Sequence, residues 1–322
     1  MIEITKAKAR LWSRLGARAV LGQALLEMAK ERDDFYVLSA DLAQSSGLVR
    51  FRSEFPDRFI NTGIAEQNLI GVAAGLAKDG TNVFATSFSP FVTMRACEQV
   101  RMNMGYMQLN VKTVGLGSGL IMAQLGNSHY GIEDGSVMRA IPGMTVVCPA
   151  DGAEIVRTVE ALCDFRGPAY IRLTGGPGIP VVYEEDMDFR IGKAIPVREG
   201  KDIAIIATGT MVHYAKAAAG ILAEKGVDAA VTDMHTIKPL DAEAVEAQLG
   251  KKLIVTVEEA SIVGGLGSAV AECIAPKKQK PPQLMLGIRD CFPHAGSYKY
   301  LLEQCRLTGE QIAEDILAAL EE

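Results

Sequence analysis

Short apolar runs alternate with longer stretches of helical spacing along most of this chain. Residues 35–40, 59–62, 82–86, 111–115, 145–148 and 169–173 read as strands, rich in β-branched and aromatic positions and bounded by turn residues. Between several of them, residues 15–31, 65–78, 91–106, 132–140 and 153–165 carry apolar positions at helical spacing. Asp151 with Glu154 forms a capping-box-like start to the last of these helices. Such alternation predicts a parallel sheet with helices on both faces.

The pattern lapses from Thr174 to Asp188, where Gly and Pro punctuate the chain. A short hairpin-like passage over 189–201 follows, and then the alternation resumes. Strands are expected at 203–207, 229–232, 252–257 and 284–287. Helices are expected at 212–225, 242–249, 268–274 and 311–320, the last opened by Thr308 and Gln311. The fold class is therefore α/β, with two three-layer units built on parallel or mixed sheets: residues 1–188 and 189–322. Gly115-Leu116-Gly117-Ser118-Gly119 hints at a dinucleotide loop, but Leu120 stands where a third glycine is needed. Gly264-Gly265-Leu266-Gly267 fails in the same way. Both are read as turns.

One helix is unusual. Glu66 opens a segment that is otherwise small and apolar on nearly every face, Ile64-Ala65-Glu66-Gln67-Asn68-Leu69-Ile70-Gly71 onward to Ala77. A helix apolar all round is buried, and a buried Glu needs a partner. An acidic residue favoured by the helix dipole is the simpler account. Phe88 and Phe91, three apart after the strand at 82–86, are expected to share a face of a helical first turn; by themselves they read as core.

Taken together, Gly63-Ile64-Ala65-Glu66-Gln67-Asn68, Thr86-Ser87-Phe88-Ser89-Pro90-Phe91, Ser128-His129-Tyr130-Gly131-Ile132-Glu133-Asp134 and His235-Thr236-Ile237-Lys238-Pro239-Leu240-Asp241 resemble, in order, the carboxy-terminal portion of transketolases. The likeness is nearest to transketolases split into two polypeptides, and it covers essentially the whole chain. It implies a pyrimidine-binding domain followed by a transketolase C-terminal domain. It also implies thiamine diphosphate as cofactor and transfer of a two-carbon ketol unit from a ketose to an aldose. By the same resemblance Glu66 activates the cofactor. Phe88, Phe91, Ile64 and Asp41 line its pocket, with Met94 where the family usually has tyrosine. His129 is the substrate-facing histidine, and Arg18 and Ser45 match contacts to an acceptor phosphate. A solvated helix face is the alternative for Arg18. His213, His235 and His294 are given structural roles, and Glu258 and Glu259 are candidates for a subunit contact that the sequence does not decide.

The family's Gly-Asp-Gly metal and diphosphate motif has no match here; Lys78-Asp79-Gly80 and Glu133-Asp134-Gly135 are the nearest approaches. The resemblance thus implies that a partner chain holds Mg2+ and the diphosphate, as an N-terminal transketolase subunit in an α2β2 heterotetramer. Three further positions depart from the family: Gly117 where a phosphate-binding histidine is usual, Leu125 in place of an aspartate, and glycine near Gly175 in place of an arginine. They suggest a changed sugar channel. A 1-deoxyxylulose-5-phosphate synthase-like carboligase and the β chain of a 2-oxoacid dehydrogenase first component are alternatives of the same chemistry, and a non-catalytic scaffold is a third.

Size and charge narrow the picture further. The 322 residues, 48% hydrophobic and 22% charged, suit two globular domains. A net charge of −6 and a pI near 5.4 argue against nucleic acid or an anionic membrane as the main partner. No apolar run is long enough to span a bilayer. The six cysteines include no CxxC and do not cluster with the four histidines, which points away from zinc and toward a reducing cytoplasm.

Overall fold

The computed structural model describes residues 1–321. Among the described residues, twelve strands form two sheets. Strands β1 (Phe35–Ser39), β2 (Phe59–Asn61), β3 (Asn82–Phe88), β4 (Val111–Leu116), β5 (Thr145–Val147) and β6 (Ala169–Arg172) belong to the first. Strands β7 (Ile195–Arg198), β8 (Ile203–Ala207), β9 (Ala229–Asp233), β11 (Ile254–Ser261) and β12 (Gln283–Ile288) form the second, while β10 (Thr236–Lys238) crosses back to the first. The orders are β10-β5-β6-β4-β3-β1-β2 and β12-β11-β8-β9-β7. All pairings are parallel except β10 with β5 and β7 with β9.

The apolar runs account for the sheets. Strands buried on both faces need no polar alternation, and β3, β4, β6, β8 and β9 are buried along all or nearly all their length. Helices α1 (Lys6–Leu15) and α2 (Ala17–Glu31), with helix Gly152–Asp164, close one face of the first sheet through Trp12, Leu21, Leu25, Val156 and Val159. α3 (Val49–Glu54) adds Phe51 to that layer. On the other face α4 (Glu66–Lys78) and the segment 91–106 pack Leu69, Ile70, Val92, Val100 and Met104. The second sheet is sandwiched likewise, helices Met211–Glu224 and Gly309–Glu321 on one face and Leu266–Ile274 on the other.

Several details differ from the pattern-based reading. The expected helix over 15–31 is α2, which starts at Ala17; an unexpected helix, α1, precedes it, and the two are separated at Gly16, whose φ of 82° an L-residue avoids. The segment 91–106 is not a regular α-helix. Phe91–Arg95 and Val100–Tyr106 are wound as π-helix on either side of a single turn at Cys97–Gln99, a winding common near functional sites. β3 runs on to Phe88, so Phe88 ends a strand instead of sharing a helical turn with Phe91. The hairpin-like passage is a tight turn closed between Arg190 and Lys193, and β7 beyond it pairs with β9. Glu258 and Glu259 are interior. Glu258 accepts from the backbone N–H groups of Leu266 and Gly267, and Glu259 from Leu120 N–H, the Thr210 hydroxyl and the Tyr298 hydroxyl.

Where the two sheets' units meet, three carboxyl groups are buried together. Asp151 caps helix Gly152–Asp164 and accepts from the N–H groups of Val182 and Tyr183. Glu154, one turn on, accepts from Ala150 N–H and lies close enough to Asp233, at the end of β9, for the two carboxyls to influence each other's titration. Asp233 accepts from the Tyr183 hydroxyl at 2.8 Å. Glu154 Oε1 and Asp233 Oδ1 are buried without a hydrogen-bond partner, an environment that favours the protonated carboxyl over the charged one. Burial first, then mutual repulsion, pushes Glu154 well above the usual carboxylate range; burial pushes Asp233 up to about 8.

Candidate active site

In an open α/β sheet, ligands gather beyond the carboxyl ends of the strands. The candidate residues lie there. Asp41 follows β1, Ile64 and Glu66 follow β2, Phe88 ends β3 with Phe91 and Met94 just after it, and His129 lies on the long connection after β4. These four strands are neighbours in the order β2-β1-β3-β4.

Glu66 starts α4 and is 2% exposed. Ser87 Oγ of β3 donates to its Oε1 at 2.9 Å, and Arg95 Nη1 donates to its Oε2 at 2.9 Å. The buried carboxylate therefore has a cationic partner that the sequence pattern did not identify. Arg95 is itself 48% exposed, and its guanidinium lies 4.1 Å from the centre of the Phe91 ring, a cation–π distance.

Three rings surround this point. Phe88 and Phe91 meet edge to face at 6.2 Å, and His129 stands edge-on to both, 5.9 Å from Phe88 and 5.3 Å from Phe91. Ser128 Oγ lies 3.0 Å from His129 Nδ1. The structure thus brings Glu66, Phe88, Phe91 and His129 together, with Arg95 and Ser87 added. Ile64, at 78% exposure, and Met94 stand at the solvent side. Asp41 exchanges hydrogen bonds with Asn61, accepting from Nδ2 at 2.9 Å while its N–H donates to Oδ1 at 3.0 Å. That pairing ties the ends of β1 and β2 together.

A buried network fixes the chain just beyond His129. Tyr130 donates its hydroxyl to Ala123 O, and Gly131 pairs with Gly119. Asp134 accepts from Arg172 Nε at 2.9 Å, from the Tyr170 hydroxyl at 2.6 Å and from Ser89 Oγ at 2.7 Å. Arg172 Nη2 also donates to Gly131 O and Glu259 O, both at 2.8 Å. The Glu133-Asp134-Gly135 sequence is accordingly an internal anchor. Ser89, between Phe88 and Phe91, joins this network, so the aromatic pair and His129 share one rigid base.

Arg18 and Ser45 line a different cavity, of about 240 Å³, with Gly16, Gln44, Gly47 and Pro177. Partial burial lowers the Arg18 pKa from its ordinary value, and among the described residues no carboxylate pairs with it. Two of the altered channel positions are shaped by their neighbours. Gly117 has φ 66°, and a Cβ there would come within 2.6 Å of Met122 Sδ; no larger residue fits without moving Met122. Leu125 is 54% exposed on the 3-10 turn Ala123–Ser128 that leads into His129.

Residues 14–176 match the family described as transketolase, pyrimidine binding domain, and residues 192–312 match transketolase, C-terminal domain. The chain belongs to the transketolase family. It is 44% identical over 289 residues to the 6-deoxy-6-sulfo-D-fructose transketolase subunit of Clostridium sp. (strain MSTE9), covering 89% of each chain. It is 38% identical over 278 residues to an apulose-4-phosphate transketolase subunit of Phocaeicola vulgatus, covering 86% of this chain and 88% of that one. Among solved structures it is similar, with a TM-score of 0.86 and 39% identity, to a split-gene transketolase described as an inactive beta4 tetramer, over 95% of this chain and 98% of that one. The chain has the α/β organisation its sequence implied. Among the described residues no helix is long and apolar enough to cross a membrane.

Proposed function

We propose that this chain is the pyrimidine-binding and C-terminal subunit of a two-chain, thiamine diphosphate-dependent transketolase that moves a two-carbon ketol unit from a ketose to an aldose. The observation that carries the reading is a buried carboxylate, Glu66, beside two flat apolar rings and a histidine. That set suits an aminopyrimidine: a carboxylate for a ring nitrogen, aromatic faces for stacking, and little access for water. The bound cofactor would supply the carbanion chemistry.

This chain's residues do the rest. Glu66 holds or shares the proton at the pyrimidine N1′, with Ser87 fixing the carboxylate's orientation. Phe88 and Phe91 seat the ring, while Ile64, Met94 and Asp41 border it. His129 moves protons to and from donor-sugar hydroxyls. Arg18 and Ser45 receive an acceptor's anionic group in their own cavity. The site offers no cluster for a divalent ion among the described residues, so Mg2+ and the diphosphate are assigned to an N-terminal partner subunit, in an α2β2 assembly working in the cytoplasm. We assign residues 1–188 and 189–322 as the two domains, with β10 contributed by the second to the sheet of the first.

The sugar is proposed to differ from the common pentose phosphates. Met122 fills the space over Gly117, and Leu125 presents an apolar surface beside His129; neither offers a cation or a hydroxyl reader. The relatives named for a sulfonated fructose and for apulose 4-phosphate are in keeping with that reading. The test is to purify the chain with and without its partner and titrate each with thiamine diphosphate and Mg2+ by calorimetry. Tight binding should need both chains. Stoichiometric tight binding by this chain alone, or none by the pair, would refute the assignment.

A further inference from the structure

Arg95 satisfies two requirements with one group. Its guanidinium carbon lies 4.1 Å over the centre of the Phe91 ring, and it simultaneously donates an N–H to Glu66 Oε2 at 2.9 Å. A buried carboxylate needs a countercharge, but that need does not require a planar cation stacked on a neighbouring ring; a lysine ammonium would meet it. The guanidinium is a flat, delocalised group with N–H donors in its plane. So is the edge of a protonated aminopyrimidine. The proposed function asks the cofactor's ring to make the same two contacts: a flat face against Phe91 and an N–H toward Glu66.

Other groups already pack on Phe91 and Glu66. Phe88 and His129 both meet it edge to face, and Ser87 already donates to the other oxygen of Glu66. Arg95 covers one face of Phe91 and the second oxygen of Glu66 together. Arg95 also has freedom to leave this position. Its side chain is 48% exposed, and Glu66 is its single ion-pair partner among the described residues. Its backbone carbonyl accepts from Gln67 Nε2, so the side chain can swing while the main chain stays in place.

We propose that Arg95 competes with the cofactor's pyrimidine ring for Phe91 and Glu66, so that binding requires the guanidinium to swing aside and Arg95 sets how tightly the cofactor is held. The inference rests on the proposed function and concerns a gating residue, not a catalytic one. Removing the competitor leaves Glu66 buried without its cation, which favours any incoming donor further.

The experiment uses the assembled two-chain enzyme and measures the dissociation constant of thiamine diphosphate, with Mg2+ present, by calorimetry. Arg95→Ala should bind about tenfold tighter or more than the parent. Arg95→Lys, which keeps the charge but cannot stack as a plane, should fall between the two. Should Arg95→Ala fail to assemble, Arg95→Lys and Arg95→Gln carry the comparison, both expected to bind tighter than the parent. Unchanged or weaker binding in the variants would overturn the proposal, weaker binding meaning that Arg95 stays to hold the cofactor. Failure of the parent enzyme to bind thiamine diphosphate would instead sink the functional reading, and this inference with it.

Discussion

The carboxyl pair between the two units makes stability depend on pH in a specific direction. Asp233 would titrate near 3.8 in an unfolded chain and is held up to about 8 in the folded one, chiefly by burial, with Asp151 adding repulsion. The folded protein therefore keeps a proton that unfolding releases, and stability falls as pH rises from about 4 through about 8. Each retained proton contributes a slope of about 1.4 kcal/mol per pH unit, or on the order of 4 kcal/mol between pH 5 and pH 8. Asp233→Asn removes this titration. The amide can still accept from the Tyr183 hydroxyl. Urea unfolding of parent and variant at several pH values isolates the effect, because Asp151, Glu258 and Glu259, also raised by burial, are common to both. The variant should gain on the parent by roughly 1 kcal/mol for each pH unit above 5. Parallel stability curves for the two proteins across pH 5–8 would refute the account of Asp233 as a proton-retaining buried acid.

Three other outcomes are expected. Glu66→Ala should lower turnover of the assembled enzyme by roughly 10²–10⁴ and slow exchange of the cofactor's C2 proton in step; parent-like exchange would remove Glu66 from its role. Asp134→Ala should destabilise the chain by about 3–5 kcal/mol, since it strands the buried Arg172, and a thermal shift of under a degree would show the network to be incidental. A panel of ketoses and aldoses given to the reconstituted enzyme should favour a sugar outside the xylulose 5-phosphate and ribose 5-phosphate pair, and best activity on that pair would discard the altered-channel argument.

The sheets were legible because buried parallel strands are written as unbroken apolar runs, as in Val111–Leu116 and Ile203–Ala207. β10 was not, since three residues ending in Lys238 before Pro239 carry no run; their pairing depends on β5, far away in the chain. Glu66, Phe88, Phe91 and His129 stood out through motif wording, and the structure gathers them at one set of strand ends. Arg95 lay in plain view four residues past Phe91, but its ion pair spans 29 positions to Glu66 and depends on how a π-wound segment settles against α4. A buried acid at a helix start with no local cation was the available signal that some distant Arg or Lys must complete it.

The return of the chain from β9 to β10 bears on how the protein is made. Only Met234 and His235 separate the two strands, so the polypeptide passes from one sheet to the other in a single step. During synthesis every strand of the first sheet but one leaves the ribosome early, and the hydrogen-bonding groups along the outer side of β5 must wait for Thr236–Lys238. Throughout that interval the nascent chain carries a bare strand edge, the kind of surface that recruits other chains. Lys238 then fastens the late strand by donating to the carbonyls of Arg139 and Ile141. A transcript truncated before codon 236 would leave that edge open permanently, and its product should aggregate where the full-length chain does not.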